Sequence, residues 1–100
     1  MATEHTAKAF DGDLQELTRL VAEMGGLAER MIVESVDALI RRDVALGKRV
    51  VVADAEIDNL QRVIEERAVL TIARRQPMAV DLREIVGAMR VATEIGRAHV

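Results

Sequence analysis

From Leu14 onward the apolar positions advance in alternating steps of three and four: Leu14, Leu17, Val21, Met24, Ala28 and Met31, continued by small Ser35 and Ala38. That spacing gathers every member on one side of an α-helix and predicts a long amphipathic helix. A second series runs through Leu46, Val50, Ala53, Ile57, Leu60 and Ile64, breaks at Arg67 and resumes one position later at Ala68 and Ile72. A third follows Pro77 through Met78, Leu82, Ile85, Met89 and Ala92. Three seams predict three helices, over 11–42, 44–75 and 77–95.

The polar residues between the seams mark the boundaries. Asp11 or Asp13 is a candidate N-cap for the first helix, because a short carboxylate accepts a hydrogen bond from a free amide of the first turn. Arg41 and Arg42 stand where cations favour a helix C-terminus, and Asp43 can start a short turn into the second helix. Pro77 suits the first turn of the third helix, where its missing N–H is no loss, with Asp81 and Glu84 in the early turns. Short connections make neighbouring helices antiparallel, so the expected fold is all-α, an up-down-up three-helix bundle whose third helix is truncated. Residues 1–10 are expected to form a flexible N-terminus and 11–93 the incomplete bundle. The long helices then carry seam positions without a partner, which implies missing sequence or self-association and predicts an isolated chain that aggregates or is only partly ordered.

Composition narrows the chemistry. With one Phe, no Trp or Tyr, and a net charge of −3, the chain offers little to stack bases or attract phosphate backbones, so nucleic acid is not an expected partner. The chain has no cysteine, and with it no disulfide framework, thiolate metal site or cysteine nucleophile. The longest apolar run, Val50 to Ala53, is far short of a bilayer span, so no membrane insertion is expected, and a cytoplasmic location is.

Candidate chemistry is sparse. His5 and His99 lie in the expected frayed ends, and no Ser, His and acid arrangement or Gly-rich phosphate loop is present, so no catalytic residue is assigned. Gly25 and Gly26 interrupt a helix and suggest a bend or a close helix approach. Arg62, Arg67, Arg74 and Arg75 could bind an anion or pair with Glu65 and Glu66. The most informative cluster is DAEID, whose Asp54 and Asp58 stack on one flank of the second helix. Hard carboxylate oxygens in that arrangement suit a metal if another helix adds donors, although solvated helices carry such pairs routinely.

The ordered segments are more specific than any single motif. EHTAKAFDGDLQELTRLVAEMGGLAERM, RRDVALGKRVVVADAEIDNLQ and IEERAVLTIARRQPMAVDLREIVGAMRVAT resemble the N-terminal half of the PhoU family, phosphate-transport accessory proteins and phosphate-response regulators of bacteria. The likeness covers residues 4–93, and RQPMAVDLR, Arg75 to Arg83, is its most distinctive part. It implies two similar three-helix bundles, of which this chain holds most of one, in a cytoplasmic and often dimeric regulator. It further implies restraint of phosphate uptake and the starvation response by docking on the phosphate ABC transporter ATPase and the phosphate sensor kinase, without catalysis.

The family's paired acids, reported to hold iron or zinc clusters, match Asp54 and Asp58. The second acidic motif should follow Val91-Ala92-Thr93, where this chain instead reads EIGRAHV, so no cofactor is expected for the fragment. EIGRAHV is also what GAGATCGGAAGAGCACACGTC encodes, a common sequencing-adapter read-through. Residues 94–100 are therefore expected to be a non-native tail. Two other readings stand beside the regulator. One is a self-associating structural helical bundle. The other is a chorismate-mutase-like enzyme, from a loose likeness of IDNLQRVIEERAVLTIA with Arg67 as the substrate-gripping residue.

Overall fold

The computed structural model describes the backbone of residues 2–98 and the side chains of residues 7–98. Three helices account for nearly all of it: α1 (Ala2–Arg41), α2 (Val44–Arg75) and α3 (Ala79–Ala98). Each packs on the other two, and the result is a rod of 60 × 19 × 16 Å. The all-α up-down-up bundle expected from the seams is the observed one.

Ladders of seven-residue spacing fill the core. Phe10, Leu17, Met24 and Met31 are buried on α1, Ile57, Ile64 and Thr71 on α2, and Ile85 and Ala92 on α3, with Leu20 and Ala68 beside them. Positions seven apart return to nearly the same side of a helix, so each ladder presents one continuous edge to its neighbours. Leu14, Val21, Ala28, Val50, Ala53, Leu60, Ile72 and Met89 pack around this core. Thr71, the buried polar member, turns its hydroxyl back to the Arg67 carbonyl at 2.8 Å and so leaves no unpaired group.

Several boundaries differ from expectation. Residues 2–10 are helical, and Phe10 belongs to the core, where a flexible segment was expected. The signal was present, since the one aromatic of the chain stands seven positions before Leu17. Neither Asp11 nor Asp13 can cap a helix that begins at Ala2. Asp13 instead accepts a hydrogen bond from Arg75 Nε at 2.9 Å, joining α1 to the end of α2.

The turn between α1 and α2 is closed tightly. Arg42 takes a left-handed conformation (φ 54°), and the Asp43 N–H returns to the Ala38 carbonyl at 3.0 Å. These are the features of a helix end that satisfies its last carbonyls. Asp43 then caps α2, its Oδ1 accepting from the Leu46 N–H at 3.0 Å.

Gln76, also left-handed (φ 45°), closes α2 with its N–H on the Ile72 carbonyl. Pro77 lies outside α3 rather than in its first turn. The helix starts at Ala79, its first backbone bond running from the Leu82 N–H to the Met78 carbonyl. Proline disfavours the right-handed helical conformation in the residue before it, so the break falls at Gln76. Met78, expected on the seam, is consequently exposed.

α3 continues through Ala98, beyond the expected end at 95. Its last turns meet both partners, Ile95 beside Gly25 of α1 and Gly96 against Gln61 of α2. A side chain at 96 would collide with the Gln61 amide, so the Gln61 side chain lies directly over the α3 backbone here. Gly25 and Gly26 have no such role. A Cβ at Gly25 would meet Ile95 at an ordinary 3.9 Å, one at Gly26 would meet nothing, and α1 runs through both.

Candidate functional site

The position of Asp54 and Asp58 follows from helix phase. Asp54, Asp58 and Gln61 occupy the i, i+4 and i+7 places of α2 and therefore share a face. Since Gln61 meets Gly96 in the last turns of α3, the two aspartates stand on the side of α2 that carries α3. α3 runs antiparallel to α2, so Asp58 and Asp54 lie about 4.5 and 10 Å further along than Gln61, past the last described residue of α3. Asp54 is half-buried and Asp58 exposed.

Two carboxylates from one helix are too few donors for a stable hard-metal site, which takes six or more oxygens from several elements. Among the described residues no group of three or more His, Cys, Asp or Glu comes together in a way that could hold a metal ion. Among the described residues, Asp54 and Asp58 do not by themselves make up the donor set of an iron or zinc cluster. His5 offers no described side chain, and His99 lies outside the described residues.

The RQPMAVDLR segment forms the α2–α3 turn, level with Asp13 of α1. Arg75 is drawn into the Asp13 contact while Gln76, Met78, Val80 and Arg83 stay exposed. Arg62 donates to the Asn59 Oδ1 at 2.6 Å, and Glu65 accepts from Gln61 rather than from an arginine. Arg67, the residue that a mutase would need inside a pocket, is exposed on α2.

Charge on α1 is locally ordered. Arg19 donates two hydrogen bonds to Glu16, at 2.7 and 3.0 Å, and reaches Glu23 at 3.2 Å. The Arg19 guanidinium holds the Glu16 carboxyl below its ordinary range, with Arg67 adding a weaker field, and Glu16 in turn raises Arg19. This is a solvated helix face.

Two shallow grooves follow the α1–α2 crease. One, of about 390 Å³, is lined by Met31, Val52 and Ala53 together with Arg30, Lys48 and Glu56. The other, of about 480 Å³, adjoins it around Leu27, Leu60 and Glu23. Both are open, with charged lining residues of both signs. They suit the edge of a macromolecular partner better than a small substrate, which takes an enclosed pocket. Among the described residues no helix is long and apolar enough to cross a membrane.

Comparison with known proteins adds what the geometry does not contain. The profile of the PhoU domain matches residues 21–98. A phosphate-specific transport system accessory protein PhoU homologue of Rhizobium meliloti (strain 1021) is 50% identical over 97 residues, 97% of this chain and 41% of its own length. The homologue of Caulobacter vibrioides (strain NA1000 / CB15N) is 44% identical over 95 residues, 95% of this chain and 41% of its own. The PhoU protein of Edwardsiella tarda is 34% identical over 94 residues, 94% and 39% respectively. The chain thus spans about two-fifths of the length of these relatives. No solved structure matches it significantly.

Proposed function

Because the chain belongs to the PhoU family, we propose that it is a regulatory module of a phosphate-transport system, acting by docking rather than by catalysis. The observation that carries this reading is the 50% identity, over nearly the whole chain, to a phosphate-specific transport system accessory protein homologue. The site chemistry agrees with it. The described surface offers open grooves with apolar and charged linings rather than an enclosed pocket.

In the finer reading, the module works in the cytoplasm as part of a homodimer and lowers phosphate uptake and the starvation response. It does so through contact with the transporter ATPase and the phosphate sensor kinase. The exposed RQPMAVDLR turn and the crease grooves are the contact surfaces. Asp54 and Asp58 become metal donors only in a longer protein whose third helix continues past Gln61 and adds carboxylates there.

Affinity capture tests this. The full-length protein carrying this segment, immobilised, is expected to retain the transporter ATPase from its own organism, and Met78→Asp with Val80→Asp in the exposed turn is expected to weaken retention. Failure of the unaltered protein to retain either the ATPase or the sensor kinase would remove the docking reading.

A specific observation favours a second reading. Ile32, Val36 and Leu39 share a face with Gly25, the face that meets α3, and all three are exposed past the last described turn of α3. A self-associating bundle would cover them with a second copy. Sedimentation of the 100-residue chain decides: a monomer across the micromolar range with a cooperative thermal transition excludes that bundle.

A further inference from the structure

The turn joining α1 to α2 ends the rod in a tip of unusual composition. From Leu39 to Val52 four cations, Arg41, Arg42, Lys48 and Arg49, stand against one acid, Asp43, within a chain whose net charge is −3. Asp43 is engaged in capping α2. Arg41 meets Asp37 at 2.8 Å, and Arg49 lies 3.8 Å from Glu34, yet both arginine side chains remain more than two-thirds exposed. Exposed pairs of this kind are weak and exchange readily with other anions.

Large aliphatic side chains surround the same tip. Leu39, Ile40 and Val44 are 79%, 76% and 70% exposed, the highest values among the aliphatics apart from Met78 and Val51. They do not make one face. Leu39 lies on the α3 side of α1, since it is fourteen residues from Gly25. Ile40 is a further 100° around the helix, and Val44 opens the other helix. A folded partner would need a pocket shaped to all of these directions at once to cover such a knob. A fluid interface surrounds it, taking apolar side chains below the headgroups and cations among them.

We propose that the α1–α2 tip is a peripheral docking element for an anionic lipid surface, placing Ile40 and Val44 at the headgroup boundary while Arg41, Arg42 and Lys48 meet the lipid phosphates. The rod then stands end-on, because the excess negative charge of the chain lies outside the tip. No spanning element is involved. This inference rests on the tip alone and not on the phosphate-transport reading.

The test is co-sedimentation of the 100-residue chain with vesicles of phosphatidylcholine containing one-third phosphatidylglycerol, against phosphatidylcholine alone. Binding is expected to the anionic vesicles only and to weaken with salt. Ile40→Asp with Val44→Asp, and separately Arg42→Glu with Lys48→Glu, are each expected to weaken it about tenfold or more. Arg83→Glu with Arg90→Glu on α3 is expected to leave it near the unaltered value. Circular dichroism confirms that each variant is as helical as the parent.

Because the chain lacks cysteine, Ile40→Cys gives a unique site for a nitroxide label. On vesicle binding the label is expected to become accessible to oxygen and shielded from a polar relaxant. The proposal is overturned by failure to bind anionic vesicles, by binding that the tip variants do not change, or by a label that stays fully exposed to the polar relaxant. It is equally overturned if the tip variants convert an oligomer to a monomer without altering lipid binding, which would make a second copy the occupant.

Discussion

The two halves of the rod are built from the same pair of helices and differ in what lies against them. In the lower half α1, α2 and α3 close around Phe10, Leu17, Met24, Ile57, Ile64, Ile85 and Ala92, all buried. In the upper half α1 and α2 are the helices present among the described residues, and Ile32, Val36, Val51 and Val52 are more than half exposed. A two-helix hairpin shields one seam and leaves the flanks of both helices in water. Burial of a large aliphatic side chain stabilises by roughly 1.5–3 kcal/mol, so the lower half holds most of the folding free energy. The upper half keeps its shape through helix continuity, the closed turn at Arg42 and Asp43, and the Met31 contact. The comparison teaches that helix content and stability are distributed differently along this molecule.

Core truncation breaks the comparison most strongly. Met24→Ala, at a fully buried site, is expected to lower stability by about 2–5 kcal/mol in urea titration, whereas Val36→Ala in the upper half should stay within about 0.5 kcal/mol. Equal effects would mean that the halves are equally packed. Removing a cap tests the hairpin next. Asp43→Ala leaves the Leu46 amide without its acceptor and is expected to cost about 1 kcal/mol. Hydrogen exchange should show the loss concentrated in the first turns of α2.

The ion pairs sharpen the contrast. Arg75→Gln removes a half-buried contact between α1 and α2 in the lower half, for an expected loss of about 0.5 kcal/mol, while Arg49→Gln at the exposed 3.8 Å pair should be smaller still. A double-mutant cycle with Asp13→Asn isolates the first of these. The smallest effect concerns pH. The folded Glu16 carboxyl is held below its ordinary range, so its contribution is present above the unfolded value and is lost as pH falls through the folded one. Glu16→Gln should therefore flatten slightly the acid side of the stability profile, read as Tm against pH.

The seams were legible because burial in a small bundle repeats with the helix. Leu17, Met24, Ile57, Ile64 and Ile85 could each be named from spacing alone. Phe10 escaped because the charged residues around it suggest a frayed end, and only its seven-residue distance from Leu17 shows otherwise. Met78 was placed in the core because the periodicity around Pro77 conceals the left-handed turn at Gln76. The acidic pair was legible as Asp54 and Asp58, but its relation to α3 was not. That relation depends on the meeting of Gln61 and Gly96, for which neither residue type carries a pattern. The tip was hidden for a different reason, since the exposure of Ile40 and Val44 depends on how the two helices meet at the turn, which spacing does not give.

The seven-residue ladders limit how this rod can change length. Inserting one residue into α1 between Leu17 and Met24 would rotate everything beyond it by 100°. Met24 and Met31 would swing out of the core and Glu34 away from Arg49. Inserting seven residues into each long helix would restore every face and lengthen the rod by about 10 Å. Variation in reach among chains of this design should therefore arrive in whole heptads, paired between α1 and α2, while single insertions and deletions collect in the turns at Arg42 and Pro77.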